Sequence, residues 1–464
     1  MSNLLINLDP TVANKAHNWL VGDYDAATKA EINALIKAGD MTRLTDAFYK
    51  DLEFGTGGLR GIMGAGSNRV NKYTLGAATQ GFANFLNNTY PNEEVRVVIA
   101  YDCRNNSDTF GRMVAEVFSA NGIKVYFFTE LRSTPKLSYA VRKLEAHGGV
   151  VLTASHNPRE YNGYKAYGRN GGQLVPPHDK SVMAEVAKVD DISKIKFTPN
   201  EDLIINLGED IDNAYLDELV KLSVYPDAIK RQSDMSIVFS PIHGTGGVSV
   251  PPILKRFGFN NVHLVEEQMV RSGDFPTVVY PNPEEQEAMT LALKKAAEVD
   301  ADLVMATDPD ADRVGIAIKN KDGEFELLNG NQAACLLIYY LLNAWEKAGK
   351  LNGNQYVVKT IVTSYLIDKI AASKGVDCYN TLTGFKWIGE LMTSLEGKKT
   401  FIGGGEESYG YLVGEHARDK DAVVSCAMLA EMVAFYKDQG SSPFDTLINL
   451  YTEYGFYKEK LIAI

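Results

Sequence analysis

The sequence predicts an α/β protein of three consecutive mixed units, on three observations. Short apolar runs rich in Val, Ile and Phe alternate with stretches of helical periodicity, the pattern of parallel strands joined by helical crossovers. That alternation recurs three times along the chain. Its 464 residues, 45% of them hydrophobic, correspond to about three domains at roughly 150 residues each.

Residues Thr11 to Lys50 read as an amphipathic helical arm, which the glycine-rich stretch Gly55 to Gly66 ends. The first unit then has strands at Val95 to Tyr101, Lys124 to Phe128 and Gly149 to Ala154. Helices near Thr109 to Ala120 and Pro135 to His147 separate them. The mixed segment Asp179 to Asp202 is the first boundary. The second unit has strands at Ser236 to Ser240, Val262 to Glu266 and Leu303 to Ala306 and a helix over Pro283 to Val299, and closes near Ile318. The third opens with a long helix, Asn331 to Ala348. Strands at Tyr356 to Val362 and Thr400 to Ile402 follow, with helices at Lys386 to Leu395 and Asp421 to Asp438 and a further helix starting at Pro443. The expected domains are 1–200, 201–318 and 319–464.

The formal charge of -12 and the lack of any long Lys/Arg run argue against nucleic-acid or anionic-membrane partners. The longest apolar run, Ala333 to Leu342, is far shorter than a bilayer span. Cys103, Cys335, Cys378 and Cys426 are scattered without metal or redox spacing. Reduced thiols and a cytoplasmic location are the expectation.

Two motifs carry chemistry. In Gly148 to Lys165 an apolar strand delivers Ser155 into a polar segment whose Asn157-Pro158 and Asn162-Gly163 read as tight turns. A hydroxyl at the carboxyl end of a buried strand lies where open α/β sheets hold ligands, and His156 and Lys165 bring donors beside it. It suits either an activated nucleophile or a phosphorylated one. Thr-Ala-Ser-His-Asn-Pro is not the Gly-x-Ser-x-Gly elbow of serine hydrolases; the remaining alternative is a strand-capping serine. In Asp308-Pro309-Asp310-Ala311-Asp312-Arg313 three alternate carboxylates follow another apolar strand. Near-extended backbone places them on one side, where they repel unless a cation relieves them. All-oxygen ligands point to Mg²⁺, with a phosphate on Ser155 able to complete the sphere. A calcium EF-hand fails, because Arg313 and Lys319 stand where it needs Gly and Glu. A solvated acidic turn is the bland alternative.

With these motifs on hand, the chain resembles the α-D-phosphohexomutases, the phosphoglucomutase/phosphomannomutase family, closest to its phosphoglucomutase 2 and phosphopentomutase-like branch. Four segments carry the likeness: Phe54 to Gly61, Thr153 to Pro158 with Tyr161 to Lys165, Asp308 to Arg313, and Gly405 to Ser408 preceded by Thr383 to Lys386. The resemblance implies three mixed α/β domains around a central active-site cleft, with the family's C-terminal fourth domain and its phosphate clamp absent from a chain that ends at Leu461-Ile462-Ala463-Ile464. It implies phosphorylated Ser155 as nucleophile, Mg²⁺ held by Ser155, Asp308, Asp310 and Asp312, and Arg60 assisting transfer. Lys165 is implied as acid/base, its pKa lowered by desolvation beside other cations, and His156 as a phosphate contact. Substrate contacts are implied for Lys359, Thr383, Gly384, Phe385, Lys386, Glu406, Ser408 and Arg313, whereas Glu407 reads as a solvated turn residue. The lone-residue reading of Lys359 is a snorkelling edge lysine, and His243 reads as a structural turn histidine.

The implied reaction interconverts glucose 1-phosphate and glucose 6-phosphate through glucose 1,6-bisphosphate, with small sugar phosphates as the only expected partners. The Gly-Phe-Lys-Trp and Gly-Glu-Glu-Ser loops favour glucose. Phosphomannomutase, phosphopentomutase, a magnesium-dependent sugar phosphatase and a non-enzymatic sugar-phosphate binder are the competing readings.

Overall fold

The computed structural model describes residues 8–55 and 58–459; Thr56 and Gly57 of the first motif and the apolar end from Leu461 to Ile464 lie outside the described residues. The expected helical arm divides into three helices, Pro10–Val21, Ala26–Ala38 and Met41–Phe48. Asp9, Asp25 and Asp40 cap them, each carboxylate accepting from a backbone N–H of the first turn.

The first sheet has seven strands in the order Phe54–Gly55, Gly58–Ile62, Tyr161–Gly168, Gly148–Leu152, Arg96–Tyr101, Lys124–Phe128, Ile204–Leu207. Gly148–Leu152, Arg96–Tyr101, Lys124–Phe128 and Ile204–Leu207 run parallel, as the alternation with helices requires. The central strands Arg96–Tyr101 and Gly148–Leu152 are covered on both faces and so read as near-continuous apolar runs, whereas Ile204–Leu207 at the edge is partly exposed. Val97 and Ile99 belong to the core built with Phe82 and Phe118, whereas Val98 and Ala100 pack with Leu137 and Val141 on the other face.

Asn162-Gly163 is not the expected turn. It lies inside the strand Tyr161–Gly168, where Arg60 pairs with Gly163 and Gly61 with Asn162. Glycine is needed there because a Cβ would stand 2.5 Å from Leu59 O and 2.7 Å from Thr153 O. The Asn-Gly signal was one of close backbone approach rather than reversal.

The second sheet runs Phe325–Leu327, Val314–Lys319, Leu303–Thr307, Ile237–Ser240, Val262–Leu264, and the third runs Asp377–Thr381, Gln355–Thr360, Thr400–Gly405, Tyr411–Val413. The strands Ile204–Leu207 and Phe325–Leu327 extend the first and second sheets past residues 200 and 318. No helix was expected at Lys72–Thr89, Glu209–Val220, Leu366–Ser373 or Gly246–Phe257, the last of which contains Pro251 and Pro252. Burial of Val250, Ile253, Leu254 and Phe257 outweighs the poor local propensity. Its core is shared: one hydrophobic cluster joins Ile253 and Leu303 of the second unit to Leu337, Val357 and Met428 of the third, and includes Tyr139 of the first.

Candidate active site

Three loops, one from each sheet, meet where their strands end. Ser155 follows Gly148–Leu152 in a left-handed conformation, φ 51°, and its Oγ donates to Asp308 Oδ2 at 2.7 Å. The two residues are 153 positions apart in sequence. The Asp308 to Asp312 segment joins the antiparallel strands Leu303–Thr307 and Val314–Lys319. It is not extended as expected: Ala311 has φ 51° and its N–H donates to Asp308 O. The turn nonetheless gathers a carboxylate oxygen of Asp308, Asp310 and Asp312 within 4.8 Å of one another, all three side chains buried.

The donors around this cluster are specific. Asp308 Oδ1 accepts from the N–H groups of Asp312 and Arg313, both at 3.0 Å. Asp310 Oδ2 accepts from Thr134 Oγ1 and from Lys165 Nζ, both at 2.6 Å, and Lys165 Nζ also lies 3.0 Å from Asp312 Oδ2. Asp310 Oδ1 and Asp312 Oδ1 are buried with no hydrogen-bond partner among the described residues. Unpaired carboxylate oxygens in a dry site are costly unless a cation takes them. This donor set therefore fits Mg²⁺, which binds through carboxylates plus a phosphate oxygen.

Electrostatics follow from burial and mutual repulsion. Burial, reinforced by Asp310 and Asp312, raises the Asp308 pKa well above the usual carboxylate range. Asp310 moves the other way: Lys165 and Thr134 overcome the effect of burial and hold it low. Burial, then the Arg313 and Arg60 guanidinium groups, push His156 down to about 2, so its ring is neutral and sits with Nδ1 3.2 Å from Ser155 Oγ. The expected depression of Lys165 does not occur. Burial favours it, but the nearest groups are the Asp310 and Asp312 carboxylates rather than cations, and they hold the ammonium above its ordinary value.

Arg60 stands on Gly58–Ile62, with Nη1 3.3 Å from Asn157 Oδ1 at the serine loop. Arg313 pairs with Glu284, and its Nε is 3.9 Å from Asp312 Oδ1. In the third unit Glu406, pushed up by burial against the pull of Lys420, accepts from the Gly384 N–H at 2.9 Å and so ties the two sugar-loop candidates together. Phe385 is buried, Ser408 half-buried and Thr383 exposed; Lys386 Nζ lies 5.2 Å from the Trp387 ring centre. Lys359 is no edge lysine. Its strand is flanked by neighbours on both sides, and its buried ammonium meets Thr363 O at 3.2 Å and Asp368 Oδ2 at 3.1 Å. Glu407 is no solvated turn residue either, since its Oε2 accepts from the hydroxyls of Thr360 and Thr363. His243 bridges Val270 O and Thr277 Oγ1, as a structural histidine would.

The sequence reading missed several residues that converge here. Thr134, at the start of the helix Thr134–Lys143, reaches Asp310 through both side chain and backbone. Lys420 is buried 3.3 Å from Asp312 Oδ2 and 4.0 Å from Glu406 Oε2. It occurs in the run Arg418-Asp419-Lys420-Asp421, which looks like an ordinary solvated helix start. Arg104 follows the strand Arg96–Tyr101, so the rule that singled out Ser155, polar residues just past a parallel strand, would have found it.

Models of the phosphoglucomutase/phosphomannomutase alpha/beta/alpha domains I, II and III match residues 51–193, 213–323 and 329–454 respectively. A probable phosphoribomutase of Schizosaccharomyces pombe is 36% identical over 462 residues, 97% of this chain and 78% of that protein. A phosphoglucomutase of Staphylococcus haemolyticus is 35% identical over 417 residues, 89% of this chain and 74% of that protein. Among solved structures, a putative phosphomannomutase from Thermus thermophilus superposes with a TM-score of 0.72 at 26% identity, covering 87% of this chain and 84% of that one. With three consecutive domain matches laid over a serine, an acidic cluster and the Glu406 loop of the third unit, the chain belongs to the α-D-phosphohexomutase family and is a phosphotransferase of the isomerase class.

Proposed function

We propose that the protein interconverts glucose 1-phosphate and glucose 6-phosphate by way of phosphorylated Ser155 and a glucose 1,6-bisphosphate intermediate. The observation that carries this reading is the 2.7 Å contact of Ser155 Oγ with Asp308 Oδ2 beside two orphaned carboxylate oxygens. A phosphate on that hydroxyl points into the one place among the described residues where three acidic side chains converge.

In the first half-reaction the phosphorus–oxygen bond to Ser155 Oγ breaks as one forms to the free sugar hydroxyl. The hydroxyl loses a proton and Ser155 Oγ gains one. Lys165, charged between Asp310 and Asp312, gives its proton to the departing Ser155 Oγ and takes up the sugar hydroxyl's proton in its place, so its charge is restored. Arg60 and Arg313 orient the phosphoryl oxygens with charge-assisted hydrogen bonds, and the neutral His156 contacts them without adding charge. Asp308, Asp310 and Asp312 would hold Mg²⁺, whose contribution is to offset negative charge on the transferring group. After the bisphosphate turns over, the second half-reaction is the reverse of the first at the other phosphate. Glu406 and Ser408 face the sugar hydroxyls, and Thr383, Gly384, Phe385 and Lys386 with Lys359 complete that wall of the cleft. Glucose is supported by the likeness to a phosphoglucomutase and by the Gly-Phe-Lys-Trp loop; the likeness to a phosphoribomutase makes a pentose the second reading.

A coupled assay with glucose, mannose and ribose 1-phosphates, reading both isomer and free phosphate, tests this directly. Isomer from glucose 1-phosphate without phosphate release, and labelling of Ser155 by glucose 1,6-bisphosphate that Ser155→Ala abolishes, are expected. Faster turnover of ribose 1-phosphate would move the substrate to the pentose. Stoichiometric phosphate release would make the protein a phosphatase.

A further inference from the structure

Ser155 needs an unusual support. A serine in the left-handed region is strained and persists only where its surroundings over-determine it. Its peptide is held from both sides. Ser155 N–H donates to Thr153 Oγ1 at 2.8 Å, and that hydroxyl donates to Asp102 Oδ2 at 2.6 Å. On the other side Arg104, 3% exposed, spends its two terminal nitrogens on four backbone carbonyls. Nη2 donates to Ser155 O at 2.6 Å and to Asn157 O, and Nη1 donates to Pro158 O at 2.8 Å and Tyr161 O at 3.0 Å.

This guanidinium is itself roofed by the second unit. Its central carbon lies 5.1 Å from the centre of the buried Phe275 ring. Phe275 has φ 46°, and just before it Gly273 lies so close to the first unit that a Cβ would stand 2.2 Å from Asn105 N. Asn105 Nδ2 also reaches Asp274 Oδ1 at 2.9 Å. The unit that supplies Asp308 thus presses on the group that fixes the backbone of Ser155.

We propose that Arg104 is a positioning residue for phosphoryl transfer, a planar clamp that holds the serine loop in its strained conformation and is locked from above by Phe275. The inference rests on the proposed role of Ser155 as nucleophile. Lysine cannot replace it, because an ammonium lacks the fixed planar fork that serves four carbonyls at once. A loosened loop displaces Ser155 Oγ from its line with Asp308, and a misplacement of about 1 Å costs on the order of a hundredfold in rate.

The test measures the rate at which glucose 1,6-bisphosphate phosphorylates Ser155 in a single turnover, with steady-state kcat and KM for glucose 1-phosphate, for the wild type, Arg104→Lys and Phe275→Leu. Arg104→Lys is expected to lower the phosphorylation rate and kcat by about a hundredfold while KM stays within about twofold. Phe275→Leu, which keeps the clamp but removes the stacked ring, is expected to lower both rates several-fold. A folded Arg104→Lys variant that phosphorylates Ser155 at the wild-type rate overturns the inference, as does a change confined to KM. So does a reduced fraction of active molecules that each work at full rate. If Arg104→Lys does not fold, Phe275→Leu decides, and an unchanged rate there overturns the inference. Failure of the wild type to label at Ser155 would instead overturn the underlying assignment of the nucleophile.

Discussion

Asp310 illustrates how one side chain can serve two masters. Its Oδ2 is fully engaged by Thr134 and Lys165, whereas its Oδ1 is left without a partner. Asp310→Asn keeps the shape and can still accept from Thr134, so the fold should survive while the cation site loses a charge. We expect Mg²⁺-dependent phosphorylation of Ser155 to fall by at least tenfold to a hundredfold, roughly the range seen when groups around a metal are altered, with the thermal midpoint nearly unchanged. Parallel loss of folded protein and activity would instead give Asp310 a structural role. At this scale the sequence was legible where chemistry sits in a short run: Ser155 and the three Asp residues were each visible beside a buried strand. Lys420 and Thr134 were not, because their partner carboxylates Asp312 and Asp310 lie on another unit, and a polar or charged residue at a helix start normally means solvent; Arg104 was passed over although it stands just past a parallel strand.

The helix Thr134–Lys143 touches the acidic loop at its first residue and carries Lys136 two positions later, 1% exposed and paired with Asp212 at 2.6 Å. Burial pushes Lys136 down to about 8, against the opposing pull of Asp212. Between about pH 8 and the ordinary lysine value near 10.5 the unfolded chain therefore holds a proton that the folded chain lacks. Stability contributed by this site rises with pH through that window. In Lys136→Met, Asp212 remains bound by Arg132, and the window disappears. Urea unfolding from pH 7.5 to 10.5 should show the wild type gaining on the variant by up to about 3 kcal/mol, at roughly 1.4 per pH unit; parallel curves would refute the assignment. Elements with strong periodicity, such as Gly330–Lys347 and Ala422–Asp438, lay close to where the sequence put them. The strand Tyr161–Gly168 and the helix Gly246–Phe257 were illegible, since tertiary contacts overrule the Asn-Gly and Pro-Pro signals there.

For the molecule as a whole, the core shared by the second and third units leads us to expect that they unfold as one cooperative body. Glu431, buried in the helix Ala422–Asp438, accepts from the N–H groups of Val224 and Tyr225, from Ser223, and from Tyr340 Oη at 2.8 Å. Glu431→Leu strands these donors at about 1–3 kcal/mol each when they stay buried. Hydrogen exchange should then show protection falling together in Ile237–Ser240 and Gln355–Thr360. Loss confined to the latter would mean separable units. No described helix is long and apolar enough to cross a membrane, and three units were legible from length and alternation, but their fusion through one core was not. The 153 positions by which Asp308 follows Ser155 also impose an order in time. At about 5–20 residues per second on the ribosome the serine emerges roughly 8–30 s before its acidic partner can be made. On the proposed mechanism the nascent chain presents Ser155 without Asp308 throughout that interval, so we expect no phosphoryl exchange until the second unit has been synthesised and has docked.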